Sequence, residues 1–329
     1  MTRLKTLLAG SALALVTFAI PAAAQSDAHA SHAQHSAHND HGDHAGDFTG
    51  PALWRLSDDD TTIYLFGTVH VLPEGLDWLQ PTVADALQSA DQFVSEIDTS
   101  AIPDFDPASG QAPPPEIMAI AQMQMQLAQL EGGTIRELMS DEDRTEYEAA
   151  LAALGVPEAA FDGFEPWFAA MSMMQLQFMQ QGLDPNNGVE RVLDTMIEGK
   201  ERAAFETVEQ QMGFFDGLPM ESQLAFLDEG AEAVLDPEAS SALFGEMVSE
   251  WMEGDADGLA AVINDQMSDP VVYDVLLSQR NAEWANWLDD RLDQPGTVFV
   301  AVGAGHLGGL NSVQDYLAER GLTVERVAY

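Results

Sequence analysis

The chain has no cysteine. Disulfides and a thiolate nucleophile are thereby excluded, and stability must come from a packed core. Positive charge is nearly as scarce. Only 12 Lys and Arg stand against 55 Asp and Glu, a formal net charge of −43, and beyond the N-terminus the sole lysine is Lys200. No basic stripe is present to neutralise phosphates, which argues against nucleic acid and anionic membranes as partners. The acidity is either the solvated surface of a salt-tolerant protein or a field that draws in cations. Past the N-terminus no apolar run is long enough to span a bilayer. Neither a G-x-S-x-G elbow nor a G-x-x-x-x-G-K-[ST] loop occurs, which disfavours a serine hydrolase of that kind and a P-loop enzyme.

The first residues read as a secretory signal peptide, residues 1–24. Arg3 and Lys5 give a positive start, Leu7 to Ile20 an apolar core, and Pro21-Ala22-Ala23-Ala24 an A-x-A cleavage site. No cysteine follows it to anchor a lipid. The mature protein is therefore expected to be soluble and exported, periplasmic or secreted. Residues 25–50 form a low-complexity linker with His29, His32, His35, His38, His41 and His44 at an unbroken period of three. In a polyproline-II-like conformation that period lines the imidazoles along one edge. The segment is either a weak collector of divalent metal or a solvated spacer.

The folded region is expected over 51–329. Residues 52–56 and 61–66 flank an acidic turn and predict a β-hairpin. Pro81 suits the first turn of a helix, and 92–97 predicts a third strand. A loop rich in Pro and Asp covers 98–115. Helical periodicity then runs through 116–130, 140–154 with Ser140 as N-cap, 165–181 and 188–199. A short, weakly apolar strand at 202–207 precedes helices at 207–215, 219–230, 239–253, 256–267 and 270–292. The chain closes on a strand at 297–302, a helix at 309–320 capped by Gly321, and a strand at 322–327. Methionine and glutamine crowd 123–126 and 171–175, as ordinary core or as a surface that adapts to peptides. Strands cluster at the two ends of this region. The expected fold is α/β, a central mixed sheet built from N- and C-terminal segments with a large helical insert, about 116–292, as its roof.

Outside the linker only two histidines exist, and each ends a Gly-x-x-His tetrapeptide after an apolar run: Gly67-Thr68-Val69-His70 and Gly303-Ala304-Gly305-His306. Both should lie just past the C-terminal end of a strand, where open α/β sheets place their chemistry. Two such loops from opposite ends of the chain predict one composite site. Glu96, near the end of the third strand, and Glu206, at the end of the weak one, are the natural carboxylates to join them. Arg280 and Asn281 follow in the long helix.

Together these stretches resemble the TraB/GumN family, which includes the Tiki-type metalloproteases. The resemblance runs through Leu65 to Pro73, Ser95-Glu96-Ile97-Asp98, Gly188-Val189-Glu190, Gly199-Lys200, Phe205-Glu206-Thr207, Arg280-Asn281 and Val302 to Gly309. It implies an erythromycin-esterase/ChaN-like sheet with the two loops framing an active site. For Tiki-type members it implies metal-dependent peptide cleavage with Mn or Co. The residues themselves suit Mn, Co, Zn or Fe. On this basis His70, His306, Glu96 and Glu206 are expected metal ligands, one glutamate serving as general base for a metal-bound water; which one is left open. Arg280 and Asn281 would stabilise an oxyanion or hold a substrate carboxylate. The pairing of both glutamates with Arg280 in a purely structural network is the competing reading. Glu190 is taken as structural. The expected function is a metal-dependent hydrolase, peptidase-like, acting on a peptide or protein. The alternative is a non-catalytic protein that binds metal, haem or a peptide. Oligomeric state is not set by the sequence.

Overall fold

The computed structural model describes residues 50–98, 102–103, 105, 111–183 and 187–329. The expected signal peptide and all of the histidine-rich linker except Gly50 lie outside the described residues, as does part of the 98–115 loop.

β1 (Leu53–Ser57) and β2 (Thr61–Thr68) form the expected hairpin. Its turn closes on Asp58 Oδ1, which accepts from the Thr61 and Asp60 N–H groups at 2.8 and 3.1 Å. α1 (Pro81–Ser89) leads to β3 (Gln92–Ile97). α2 (Pro115–Leu127), α3 (Asp141–Ala153), α4 (Pro166–Gln180) and α5 (Val189–Asp194) follow, and then β4 (Glu201–Glu206). Helices resume with α6 (Val208–Asp216), α7 (Met220–Leu235), α8 (Pro237–Glu253), α9 (Ala256–Gln266), α10 (Pro270–Tyr273) and α11 (Gln279–Leu292). β5 (Gly296–Gly303), α12 (Val313–Glu319) and β6 (Val324–Arg326) complete the chain.

The six strands make one mixed sheet in the order β4-β3-β5-β2-β1-β6. β4, β3, β5 and β2 are parallel to one another, and β1 runs against both its neighbours. The sheet is thus built from both ends of the folded region, as expected, with β4 added at one edge from within the helical stretch. That edge position explains the weak apolarity of β4, most of which is exposed or half-buried. Lys200 ties its start down by donating to Gln88 O at 3.0 Å and Ala90 O at 2.6 Å, where the carbonyl end of α1 favours a cation.

Strand alternation sends successive side chains to opposite faces. Val94, Val298, Val300 and Val302 face Trp284, Ala285 and Leu288 of α11, with Val313 and Leu317 of α12 beside them. Phe66, Phe93 and Phe299 face the other way, toward α1 and the remaining helices. There the rings form a continuous row, Phe93 to Phe299 to Phe66 to Trp78 to Trp251, with centroid spacings of 6.3, 6.0, 5.8 and 5.8 Å. The helices after β4 therefore do not all roof one face, since α11 crosses to the opposite side.

Ser140 caps α3 as expected, accepting from Asp143 N–H at 3.2 Å above an acidic first turn. Several boundaries differ from the periodicity. The 309–320 helix begins only at Val313, because Gly309 (φ 70°) and Asn311 (φ 58°) are left-handed and break the pattern. α5 stops at Asp194, short of the left-handed Gly199 (φ 82°). The 270–292 helix is continuous but widens into a π turn at Asp274–Ser278, where Gln279 N–H bonds Asp274 O five residues back. The methionine clusters divide: Met171 and Met173 are core, whereas Met125 lies exposed on α2.

Candidate active site at the C-terminal edge of the sheet

Four adjacent parallel strands each deliver one chemically active residue to the same edge. β4 ends on Glu206, β3 carries Glu96 one residue from its end, β5 runs into the loop of His306, and β2 into that of His70. The two Gly-x-x-His loops leave paired positions, Gly67 opposite Val302 and Thr68 opposite Gly303. They touch so closely that a Cβ on Gly67 would stand 3.0 Å from both Cα and Cβ of Ala304, which only glycine avoids. Trp251 of α8 fixes the first loop from the helical side, donating Nε1–H to Gly67 O at 2.9 Å. The second loop is packed by α9, whose Ala256 carbonyl would run into a Cβ on Gly308.

Arg280 sits at the centre. It projects from the first turn of α11, just beyond the π turn. Nε donates to Glu206 Oε1 at 2.8 Å, and Nη2 to Glu206 Oε2 at 2.9 Å and Glu96 Oε2 at 2.8 Å. Nη1 donates to Leu276 O at 2.9 Å and stands 3.3 Å from His306 Nε2. A guanidinium has five N–H donors, and all five are engaged. Phe214 and Trp284 box it in, with ring centres 5.6 and 4.8 Å from Cζ.

The acceptors are equally well served. Glu206 also takes Trp284 Nε1–H at 3.0 Å. Glu96 takes the Gly303 N–H at 2.5 Å and Gln211 Nε2 at 3.1 Å. Gln211 reaches it because Thr207, just past β4, starts α6 with a capping box, Thr207 Oγ1 accepting from Gln210 N–H at 3.2 Å and Gln210 Oε1 from Thr207 N–H at 2.8 Å. Burial pushes the Glu96 carboxyl above its usual value, and the charges of Arg280 and His70 oppose that shift.

The tautomer of His306 follows from its neighbours. Asn281 Nδ2 donates to Asn311 O at 2.8 Å, so Oδ1 points at His306 Nδ1, 2.5 Å away. An amide oxygen only accepts, so His306 carries its proton on Nδ1 and turns the Nε2 lone pair toward Arg280. Burial first, then the charges of Arg280 and His70, hold its pKa well below 6.5 and keep it neutral.

His70 lies apart from this closed cluster yet close enough for its charge to act on Glu96 and His306. Its Nδ1 is 2.6 Å from Glu190 Oε1, and the two side chains keep 22% and 31% of their surface exposed. The other members of the group are buried. Burial raises the Glu190 carboxyl, but the His70 charge and hydrogen bond, with those of Thr68 and the backbone, together leave the pKa below the ordinary range. Glu190, expected to be merely structural, is thus the partner of a site histidine. Sequence reasoning also passed over Gln211 and Trp284.

Of the six expected site residues, Glu96, Glu206, Arg280, Asn281 and His306 form one network, with His70 beside it. The expected ligand set does not fit a divalent ion in this arrangement. Both carboxylates and the His306 lone pair are directed at the guanidinium, which fills the point on which they converge. Among the described residues no group of three or more His, Asp or Glu is arranged to hold a metal. Nor, among them, is any helix long and apolar enough to cross a membrane.

A family model described as the TraB/PrgY/gumN family matches residues 52–326. An uncharacterized protein of Treponema pallidum (strain Nichols) is 22% identical over 280 residues, covering 82% of this chain and 80% of its own length. No solved structure matches.

Proposed function

The chain belongs to the TraB/PrgY/gumN family, and from that premise we propose that it is a hydrolase of peptides or proteins in which His70, aligned by Glu190, is the acid/base group. The observation that carries this reading is the His70–Glu190 pair itself, at 2.6 Å and half-buried beside a closed polar cluster. A carboxylate on Nδ1 holds the imidazole in the tautomer whose Nε2 accepts a proton, and it stabilises the imidazolium that results. In that role His70 takes a proton from an attacking water and returns it to the leaving amine. The Arg280 cluster supplies a rigid floor that keeps the two loops in register, and with its donors engaged Arg280 does not reach out for substrate. Peptides are the substrate class that the Tiki-type resemblance implies.

The test is mass-spectrometric screening of unstructured peptides with the purified chain, beside His70→Asn and Glu190→Gln. Cleavage by the parent should fall at least ~100-fold in His70→Asn, with Glu190→Gln also impaired and the circular dichroism unchanged. An inert parent, or a His70→Asn variant that cleaves normally, refutes the proposal. The closure of the Arg280 network favours a second reading, a non-catalytic protein that binds a peptide, haem or metal at the same rim. On that reading the parent cleaves nothing, and a ligand is held in a manner that depends on His70 and Glu190.

A further inference from the structure

We infer that Arg280 is the resident cation of this site, occupying the place a divalent ion would take between Glu96, Glu206 and His306, and that removing it turns the cluster into a divalent-metal site. This stands independently of the hydrolase proposal, since it concerns what the cluster binds and not what it cleaves.

Three observations carry it. First, the acceptors converge. Glu206 Oε1 and Oε2, Glu96 Oε2, Leu276 O and His306 Nε2 all lie 2.8–3.3 Å from guanidinium nitrogens, and every guanidinium N–H is used. Second, the ligand chemistry is that of a metal site. Two carboxylates, a backbone carbonyl and a neutral imidazole with its lone pair facing inward suit Mn, Co or Zn, and two negative charges balance a divalent ion better than a single positive one. Third, the outer partners are of the kind that orient metal ligands. Asn281 fixes the His306 tautomer, Gly303 N–H and Gln211 fix Glu96, and Trp284 Nε1–H fixes Glu206. The π turn adds to this by placing the Leu276 carbonyl against Nη1. The guanidinium is also gripped between two aromatic rings, so an ion has no space to enter while the side chain stays in place.

The test uses the full-length chain with the six linker histidines replaced by asparagine, so that only the folded region is read. Bound Mn, Co and Zn are measured after equilibrium dialysis, with the visible spectrum of the cobalt form as a coordination signature. This parent should hold far less than one ion per chain, and Arg280→Ala should hold about one, lost again when Glu96→Gln or Glu206→Gln is added. Metal at roughly 100 times its Kd should raise the Tm of Arg280→Ala by about 5 °C and leave the parent unmoved. If Arg280→Ala unfolds in chelator, recovery of its circular dichroism on adding metal supports the inference, and failure to recover counts against it. Stoichiometric metal in the parent that Glu96→Gln abolishes overturns it, as does a folded Arg280→Ala chain that binds none. Peptide cleavage has no part in these readouts, so an inert parent leaves this result standing.

Discussion

Replacing Arg280 by methionine removes five hydrogen bonds at once and strands two carboxylates in the protein interior. Arg280, Glu96 and Glu206 are almost wholly buried, so solvent screening does not soften the loss. Breaking a buried ion pair from one side costs about 3–5 kcal/mol, because the unpaired charge stays behind. The single variant should therefore lose about 3–5 kcal/mol of stability, a fall in urea midpoint of about 1 M or more. Adding Glu96→Gln and Glu206→Gln should restore much of it. Each glutamine keeps an oxygen for Gly303 N–H or Trp284 Nε1–H while discarding the stranded charge. The triple variant should thus be more stable than Arg280→Met alone, with a coupling of about 2–3 kcal/mol relative to the summed single losses. Urea denaturation in chelator, followed by tryptophan fluorescence, measures every corner of the cycle. An Arg280→Met loss under about 1 kcal/mol would mean the network is not closed, and additive losses would mean the three groups do not act as a unit.

Two further outcomes follow from the same geometry. His306 is neutral in the fold with its pKa depressed, so below pH 6.5 the unfolded chain takes up a proton that the folded one refuses. Stability should then fall by up to about 1.4 kcal/mol per pH unit as pH drops from 6.5 toward the folded value. Glu96 pulls the other way, because its raised pKa costs stability as pH climbs above 4.5. The difference between parent and His306→Gln unfolding curves across this range isolates the histidine, and parallel curves would contradict its buried neutral state. In the loops, Gly308→Ala should cost more than Gly67→Ala. The first drives a methyl into the Ala256 backbone, whereas the second needs Ala304 to yield only by a few tenths of an ångström. Overpacking of this kind costs about 1–3 kcal/mol, and thermal melts that rank the two in reverse would refute the close approach of α9.

Much of this arrangement is legible in the chain. The apolar runs before each Gly-x-x-His place both histidines at strand ends, and the clustering of strands at 52–97 and 297–327 predicts a sheet closed from both sides. Glu96 stands out as the one charged residue of an apolar strand, whereas Glu206, Arg280 and Asn281 sit among other polar residues and are singled out by the family resemblance. What is not legible is who faces whom. Glu190 opens a short helix after Gly188, and nothing local assigns it to His70. Gln211 reads as one more polar residue on an amphipathic helix, although its position one turn into α6 follows from the Thr207–Gln210 capping box. The π turn is invisible to a 3.6-residue period, yet it supplies the Leu276 carbonyl to Arg280. The late start of α12 has a clear cause in hindsight, since Gly308-Gly309 and the left-handed Asn311 keep the loop open until Ser312 caps the helix at 3.2 Å.

The pairing of β5 with both β2 and β3 has a consequence for how the molecule comes into being. β5 is inserted between two strands that precede it by some 200 residues in the chain, and it alone joins the β1–β2 hairpin to the β3–β4 pair. Until residues 296–303 have been made, the sheet exists only as two unconnected halves with their central edges open. Such long-range parallel pairing folds slowly and leaves strand edges exposed meanwhile. It also means that Gly303, the N–H donor to Glu96, and His306 arrive together and last. His70 and Glu190 are both in the chain before that point, but the Arg280 cluster gains its His306 and Gly303 partners only when β5 joins the two halves.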